Sequence, residues 1–388
     1  MDLIRTKGAS LVECYFDNSA TTKPAPEAVD AMVTVLTENY GNPSSLHRVG
    51  DASAAALDSS RNSLARAFRC TPAEVYFTSG GTESNNLAIF GTAMALKRRG
   101  NRIVTTCVEH PSVEHPIDRL EEEGFDVVRL PVDEYGFVSE EDLKKAITKD
   151  TILVSMMAVN NEVGSIMPLK AVKNIIKRSG APAYFHIDAV QAFGKMPIVP
   201  KELGADLVSV SSHKIHGPKG QGVLYKRKGL RLTPYILGGG QEDNVRSGTQ
   251  GMPGIVGFAA AVDALGDMAE NRAHVQMLRD SLLAQLSDLD RLQVNSAENA
   301  LPYILNISLL GVPSEVLRNY LSEKGVYVST GSACSKGHRS GVLQAMGLPP
   351  ERIDSAVRIS FSRYNTQEEV DYAAQCIREA VNTLRKSR

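Results

Sequence analysis

Between about residue 75 and residue 226 the chain changes its hydrophobic period repeatedly. Short apolar runs of strand length alternate with stretches whose apolar residues recur every three or four positions. The strand-like runs cover 75–77, 103–107, 127–130, 152–158, 184–188, 207–210 and 223–225. The helical stretches between them cover 82–98, 113–123, 139–147 and 169–179. In the third of these, Ser139 predicts an N-cap, with Asp142 at the third helical position. Two further helices precede the alternation: 26–38, with Pro24 and Pro26 near its start, and the alanine-rich 46–68. Such repetition predicts an α/β fold, a mostly parallel sheet with helices on both faces. From about residue 254 the pattern changes. A long helix over 255–289 leads to a strand at 304–309, a helix at 314–324 and a strand at 326–329. A glycine- and serine-rich loop, a strand at 356–362 and a last helix at 367–385 follow. The expected organisation is an N-terminal arm (1–14), a large domain (15–256) and a smaller α+β C-terminal domain (257–388).

Bulk properties narrow the function. The 388 residues carry a formal net charge of -1 and are 43% hydrophobic and 22% charged. No overall basic field points to nucleic acid, and no apolar run approaches membrane-spanning length. The first residues lack the apolar core of a secretory signal, so the expected compartment is the cytoplasm. Five cysteines, Cys14, Cys70, Cys107, Cys334 and Cys376, are scattered without CxxC spacing. That pattern suits neither a disulfide framework nor a zinc site, and no metal site is expected.

Chemistry-bearing residues gather where strands end, which is where open α/β sheets bind ligands. The run 205–220 (ADLVSVSSHKIHGPKG) has a buried-strand pattern, then Ser211, Ser212, His213 and Lys214, then a glycine-rich turn. A lysine there either snorkels to water or, poorly solvated, offers a neutral amine that forms a Schiff base with an aldehyde cofactor. The stretch Phe77-Thr78-Ser79-Gly80-Gly81-Thr82-Glu83 reads as strand, glycine turn and helix start. It is either an ordinary helix start or an anion site. His110 follows the 103–107 strand as a core histidine or a group that stacks on a flat ring. Asn160 and Asn161 follow the 152–158 strand; a turn accounts for one amide and a ligand could account for the other. Asp188 ends the 184–188 strand, where an acid is costly unless paired, and a pyridinium nitrogen is a suitable partner. Pyridoxal 5'-phosphate suits all these pieces. Lys214 meets its aldehyde, Asp188 its ring nitrogen and the Gly81-Thr82 turn its phosphate, with Ser211 and His213 as further phosphate contacts. Far along the chain, Gly331-Ser332-Ala333-Cys334-Ser335-Lys336 sets a cysteine among small residues near Lys336, His338 and Arg339. Cys334 is either an incidental surface cysteine or, in a positive setting that favours the thiolate, a working nucleophile.

The motifs YFDNSATT, GNPSS, TSGGTESNN, EHPSV, NNEVG, HIDAVQ, SSHKIHGPKG, RSGT and GSAC occur in this order from Tyr15 onward. In combination they resemble the cysteine desulfurases of the class V aminotransferase group, the NifS/IscS-like type. The resemblance spans nearly the whole chain. It implies a fold-type I pyridoxal phosphate enzyme, a homodimer, that takes sulfur from L-cysteine and releases L-alanine. By the same resemblance Lys214 holds the cofactor aldehyde and moves the substrate α-proton, Asp188 pairs with the ring nitrogen and His110 stacks on the ring. Asn161 and Gln191 contact the cofactor, Gln191 near its phenolic oxygen. Gly81, Thr82, Ser211 and His213 hold the phosphate, and Thr249 reaches the phosphate of the neighbouring subunit. Arg358 binds the substrate carboxylate with help from Asn42. Cys334 takes the sulfur as a persulfide and passes it to an acceptor protein, an iron–sulfur scaffold or a tRNA-thiolation enzyme. Another class V enzyme, an aminotransferase or selenocysteine lyase, would share the cofactor machinery without needing the GSAC loop. Relative to the family the arm before Tyr15 is long, the loop after Cys334 is slightly short, and the chain stops soon after the last helix.

Overall fold

The computed structural model describes residues 13–330 and 339–386. The arm up to residue 12 and the residues 331–338, Cys334 among them, lie outside the described residues. The chain divides into two compact units. One comprises Thr21–Asn161 and Ser165–Asn271; the other comprises Ala20 and the described residues before it, Glu162–Gly164, and the chain from Arg272 onward.

The first strand, β1 (Cys14–Tyr15), belongs to the smaller unit. In the larger unit α1 (Pro26–Thr37) and α2 (Arg48–Phe68) precede seven strands. These are β2 (Val75–Thr78), β3 (Arg102–Thr106), β4 (Asp126–Leu130), β5 (Thr151–Met157), β6 (Tyr184–Asp188), β7 (Leu207–Ser211) and β8 (Gly222–Lys226). They form one sheet in the order β2-β8-β7-β6-β5-β3-β4. Only β8 runs against its neighbours, so β2 points the same way as β7 and the sheet is mostly parallel, as the alternation predicts. All seven residues of β5 are buried, which requires cover on both faces. Helices α3 (Gly81–Leu96), α4 (Pro111–Glu122), α5 (Glu140–Ala146) and α6 (Leu169–Ser179), with the short α7 (Pro200–Leu203), link successive strands. On one side Ile89, Ala93 and Leu96 of α3 and Val113, Ile117 and Leu120 of α4 pack with Ile103, Ile152 and Leu153. Ser139 caps α5 as expected, accepting the Asp142 N–H at 3.1 Å.

The long helix expected over 255–289 is two helices, α8 (Met252–Asp263) and α9 (Met268–Leu286). Gly266 takes φ +68° between them. Asp267 Oδ1 then accepts the N–H groups of Ala269 and Glu270 at 2.7 and 3.1 Å, starting a new helix. A glycine stop followed by an aspartate cap overrides a continuous apolar pattern.

The smaller unit carries the antiparallel sheet β12 (Ser329–Thr330), β13 (Ala356–Ser360), β10 (Ile304–Leu309), β9 (Leu292–Val294), with α10 (Ser314–Glu323) and the last helix, α13 (Gln367–Lys386). The short α11 (Gly341–Ala345) and α12 (Pro350–Asp354) lead into β13. The single strand read over 326–329 is split. Val326–Tyr327, β11, pairs parallel with β1, while Ser329–Thr330 joins β13. The segment after β1 is laced onto β13. Asn18 Nδ2 donates to the Ser360 carbonyl at 2.9 Å, and Ser19 N–H donates to Ser360 Oγ at 2.9 Å.

Candidate active site

The larger unit gathers its chemistry at the carboxyl ends of β2, β3, β5, β6 and β7. Each departure from the strand pattern is a polar residue standing just past a buried run, at the edge where an open sheet receives ligands.

At the end of β2 the chain turns through Ser79 and Gly80 into α3. The N-cap, Gly80, offers no side-chain cap, so the first amides of this 16-residue helix face outward with its positive end. A Cβ on Gly81 would lie 2.7 Å from Val190 Cγ2 and 3.6 Å from Ser211 Cβ. Only a glycine lets the helix start come this close to the ends of β6 and β7. The uncapped helix start therefore stands directly beside the ends of β6 and β7.

Lys214 closes the 3₁₀ turn Ser212–Lys214 that follows β7 and is half-buried. The turn is clamped from outside. Thr22 donates its N–H to the His213 carbonyl at 2.9 Å and its Oγ1 accepts the His216 N–H at 2.7 Å. A Cβ on Gly217 would meet Ser212 Oγ at 2.0 Å, so the turn after the lysine requires glycine. His213 Nδ1 lies 3.1 Å from Thr21 Oγ1. Burial, reinforced by the charges of Lys214, Lys219 and Lys195, pushes its imidazole down to about 4, so it is neutral at neutral pH.

Asp188 ends β6 and is 6% exposed. Its Oδ1 accepts the Val190 N–H at 2.9 Å and its Oδ2 accepts Asn85 Nδ2 at 2.7 Å. Asn85, fully buried on α3, also donates Nδ2 to Ser112 Oγ at 2.9 Å. Ser112 Oγ in turn lies 2.8 Å from Nδ1 of His110, the N-cap of α4. The ring's proton affinity is lowered by burial first and by Lys214 and His115 next, against the opposing charge of Asp188. Asp188 and Lys214 thus both act on the His110 ring.

The two amides after β5 divide their work. Asn160 is fully buried, bonds Val108 O through Nδ2 at 3.2 Å and pairs its N–H with Ser165 O. Asn161 is half-buried. Gln191, 7% exposed, accepts from Lys195 Nζ at 3.4 Å. Next to His110 in sequence, Glu109 is buried, 7% exposed. Its Oε1 accepts from Thr106 Oγ1 and the Met157 N–H at 2.7 and 3.0 Å, while Oε2 has no partner among the described residues. Burial pushes this acid up to about 8.

Asn42 and Thr249 make no hydrogen bond or ion pair to this cluster among the described residues. Asn42 is exposed and its Oδ1 accepts the Ser44 N–H at 2.9 Å. Thr249 is exposed on a loop anchored through Arg246 Nε to Glu83 Oε1 at 2.8 Å. Upstream on that loop Glu242, Asp243 and Asn244 all have positive φ. Such strain costs roughly 1–2 kcal/mol per residue. The bidentate Arg61–Glu242 pair (2.7 and 2.8 Å) holds it in place.

In the smaller unit Arg358 lies on β13, 6% exposed, with Nη2 bound to Asp17 Oδ1 at 2.9 Å. Glu162 Oε2 accepts from Ser340 Oγ at 2.5 Å, and burial raises this acid to about 7. Cys334 lies outside the described residues. Asn85, Ser112, Lys195 and Asp17 escaped the sequence reading. Asn85 alone left a signal there: an asparagine inside a helix, four residues after Gly81, is disfavoured unless something uses it.

The aminotransferase class-V family matches residues 14–373. The cysteine desulfurase IscS of Methanosarcina thermophila is 44% identical over 96% of this chain and 92% of its own. A solved NifS-like protein superimposes with a TM-score of 0.91 at 40% identity, over 96% of this chain and all of that one. SspA, solved in complex with cysteine, gives 0.81 at 32% identity over 91% and 99%. The chain belongs to the class-V aminotransferase family, in its NifS/IscS-like cysteine desulfurase branch.

Proposed function

We propose that the strand-end cluster of the larger unit holds pyridoxal 5'-phosphate and that this cysteine desulfurase carries the sulfur of L-cysteine away as a persulfide on Cys334. One observation carries the cofactor assignment: an uncapped helix N-terminus, a donor-held carboxylate, a histidine and a lysine share one edge of one sheet. The group fits these residues. Gly81, Thr82, Ser211 and His213 would hold its phosphate, Asp188 its ring nitrogen and His110 its ring face. Asn161 and Gln191 would add polar contacts, and Lys214 would hold its aldehyde. When bound, the cofactor supplies an electrophilic carbon and a ring that accepts the electron pair released at the substrate α-carbon.

The chain's own groups do the rest. Arg358 binds the substrate carboxylate through its planar fork, with Asn42 assisting. Lys214 takes the α-proton and later returns a proton to the substrate carbons. The Cys334 thiolate attacks the substrate sulfur; an S–S bond forms as the Cβ–S bond breaks, and the carbon skeleton leaves as L-alanine. A sulfur-acceptor protein, an iron–sulfur scaffold or a tRNA-thiolation enzyme, then takes the terminal sulfur. The other thiols are poor nucleophiles, because burial raises Cys14 to about 11 and Cys70 to about 12, and it raises Cys107 and Cys376 as well.

The proposal includes a homodimer in which Thr249 reaches the partner's phosphate. A stripe of exposed apolar residues supports it: Val29, Val33 and Leu36 follow one face of α1, 44%, 51% and 62% exposed. It also includes a cytoplasmic setting, supported by four described cysteines that are all unpaired. Among the described residues no single helix is long and apolar enough to cross a membrane.

The deciding assay follows alanine and protein persulfide formed from L-cysteine by the protein loaded with pyridoxal phosphate. Cys334→Ala is expected to keep the visible cofactor band and lose persulfide formation. Undiminished turnover by that variant would overturn the assignment of Cys334. Comparing iron–sulfur scaffolds with tRNA-thiolation enzymes as acceptors identifies the pathway.

A further inference from the structure

We infer that Asn85 and Ser112 are positioning residues that commit His110 to one tautomer, with its ring proton on Nε2 and Nδ1 always an acceptor. The sense of each bond is set from the acidic end. Asp188 Oδ2 can only accept, so the amide of Asn85 must turn its NH₂ toward it, at 2.7 Å. The other Nδ2 hydrogen points at Ser112 Oγ at 2.9 Å, which makes that oxygen an acceptor there. The Ser112 hydroxyl proton is then available to His110 Nδ1 at 2.8 Å. A second donor removes the ambiguity. The backbone N–H of Ser112 also points at Nδ1, at 3.1 Å, and a backbone N–H cannot reverse. A proton on Nδ1 would face that N–H head-on. The neutral ring therefore carries its proton on Nε2.

The relay is built into the interior. Asn85 is fully buried and Ser112 is 8% exposed, while the His110 residue is exposed. One end of the line is an acid, the other a ring whose remaining nitrogen can donate. Both donors to Nδ1 stabilise the neutral ring. The arrangement rests on the cofactor reading for its use, because Asp188 and His110 are the groups assigned to the cofactor ring. Its existence as a hydrogen-bonded line does not depend on that reading.

The test uses the full-length protein labelled with ¹⁵N-histidine, with and without added pyridoxal phosphate. The His110 signal is assigned by its loss in His110→Gln, and the two-bond ¹⁵N–¹H pattern reports the tautomer. The expected wild-type pattern is Nε2–H. Ser112→Ala is expected to raise the His110 titration midpoint by about half to one pH unit, the worth of one neutral hydrogen bond. Ser112→Thr, which keeps the hydroxyl, is expected to restore the midpoint. An Nδ1–H pattern in the wild type, or an unmoved midpoint in a folded Ser112→Ala protein, would overturn the inference. Cofactor uptake is read separately from the visible band. Its absence would sink the cofactor assignment while leaving the tautomer result to stand or fall by itself.

Discussion

The two units hold charged chemistry in different ways. In the larger unit the functional groups stand past the ends of parallel strands, and fixed backbone groups surround them. The start of α3 has no side-chain cap, and Asp188 is held by one backbone N–H and one buried amide. In the smaller unit Arg358 lies within an antiparallel strand, and its partner is another side chain, Asp17. The first kind of site is organised by main-chain groups together with a buried amide. The second is organised by an ion pair brought in from the other end of the sequence. Damage to the first should therefore reach the chemistry itself, and damage to the second should reach substrate binding.

The sharpest way to break this contrast is Lys214→Ala. It removes the group proposed to hold the aldehyde and move the α-proton. Turnover of cysteine is expected to fall by about a thousandfold or more, with loss of the bound-cofactor absorption band. Retained turnover would place the chemistry elsewhere. Asp188→Asn keeps the size and the Val190 bond, turns an NH₂ toward Asn85 and removes the charge proposed to face the cofactor ring. The expected loss is about a hundredfold in kcat with little change in KM, read by steady-state kinetics. Asp17→Asn tests the other unit. It loosens the aim of the Arg358 fork, so KM for cysteine is expected to rise about tenfold while kcat stays within about twofold. A fall in kcat of the Asp188 kind would erase the distinction between the two regions.

The smallest effect concerns stability. Glu109 is held neutral by burial, with its proton leaving only near pH 8 in the folded protein. In the unfolded chain the same acid ionises near its ordinary value. The folded state therefore binds more protons between about pH 4.5 and pH 8, and this group's contribution to stability falls as pH rises through that window. Glu109→Gln removes the titration. Its melting temperature relative to wild type is expected to climb by about 2 °C or more between pH 5 and pH 8. A constant difference across that range would mean that Glu109 is ionised in the fold. His186 has the opposite sign. It is buried against Ser155 and Ser209 and held down to about 3, so its contribution is lost as pH falls below its ordinary range.

How far the sequence could be read depended on where each residue's partner lies. Strand and helix alternation was plain because period 2 and period 3.6 are local. Lys214, Asp188, His110 and the Gly81-Thr82 turn were visible because each interrupts an apolar run at a strand end. The break between α8 and α9 is spelled by Gly266 and Asp267, but an apolar pattern on both sides masks it. The split of 326–329 could not be read at all. It follows from β1 and β13 each claiming half of that run, and both partners are distant in sequence.

The sequence by itself determined the fold class and the family, since these rest on local patterns and ordered motifs. Tertiary structure alone decided the wiring. It showed that Asn85 and Ser112, 27 residues apart, join Asp188 to His110. It also showed that Asp17 meets Arg358 across 341 residues. Hydrogen bonds act over about 3 Å, and only folding determines which groups come within that reach.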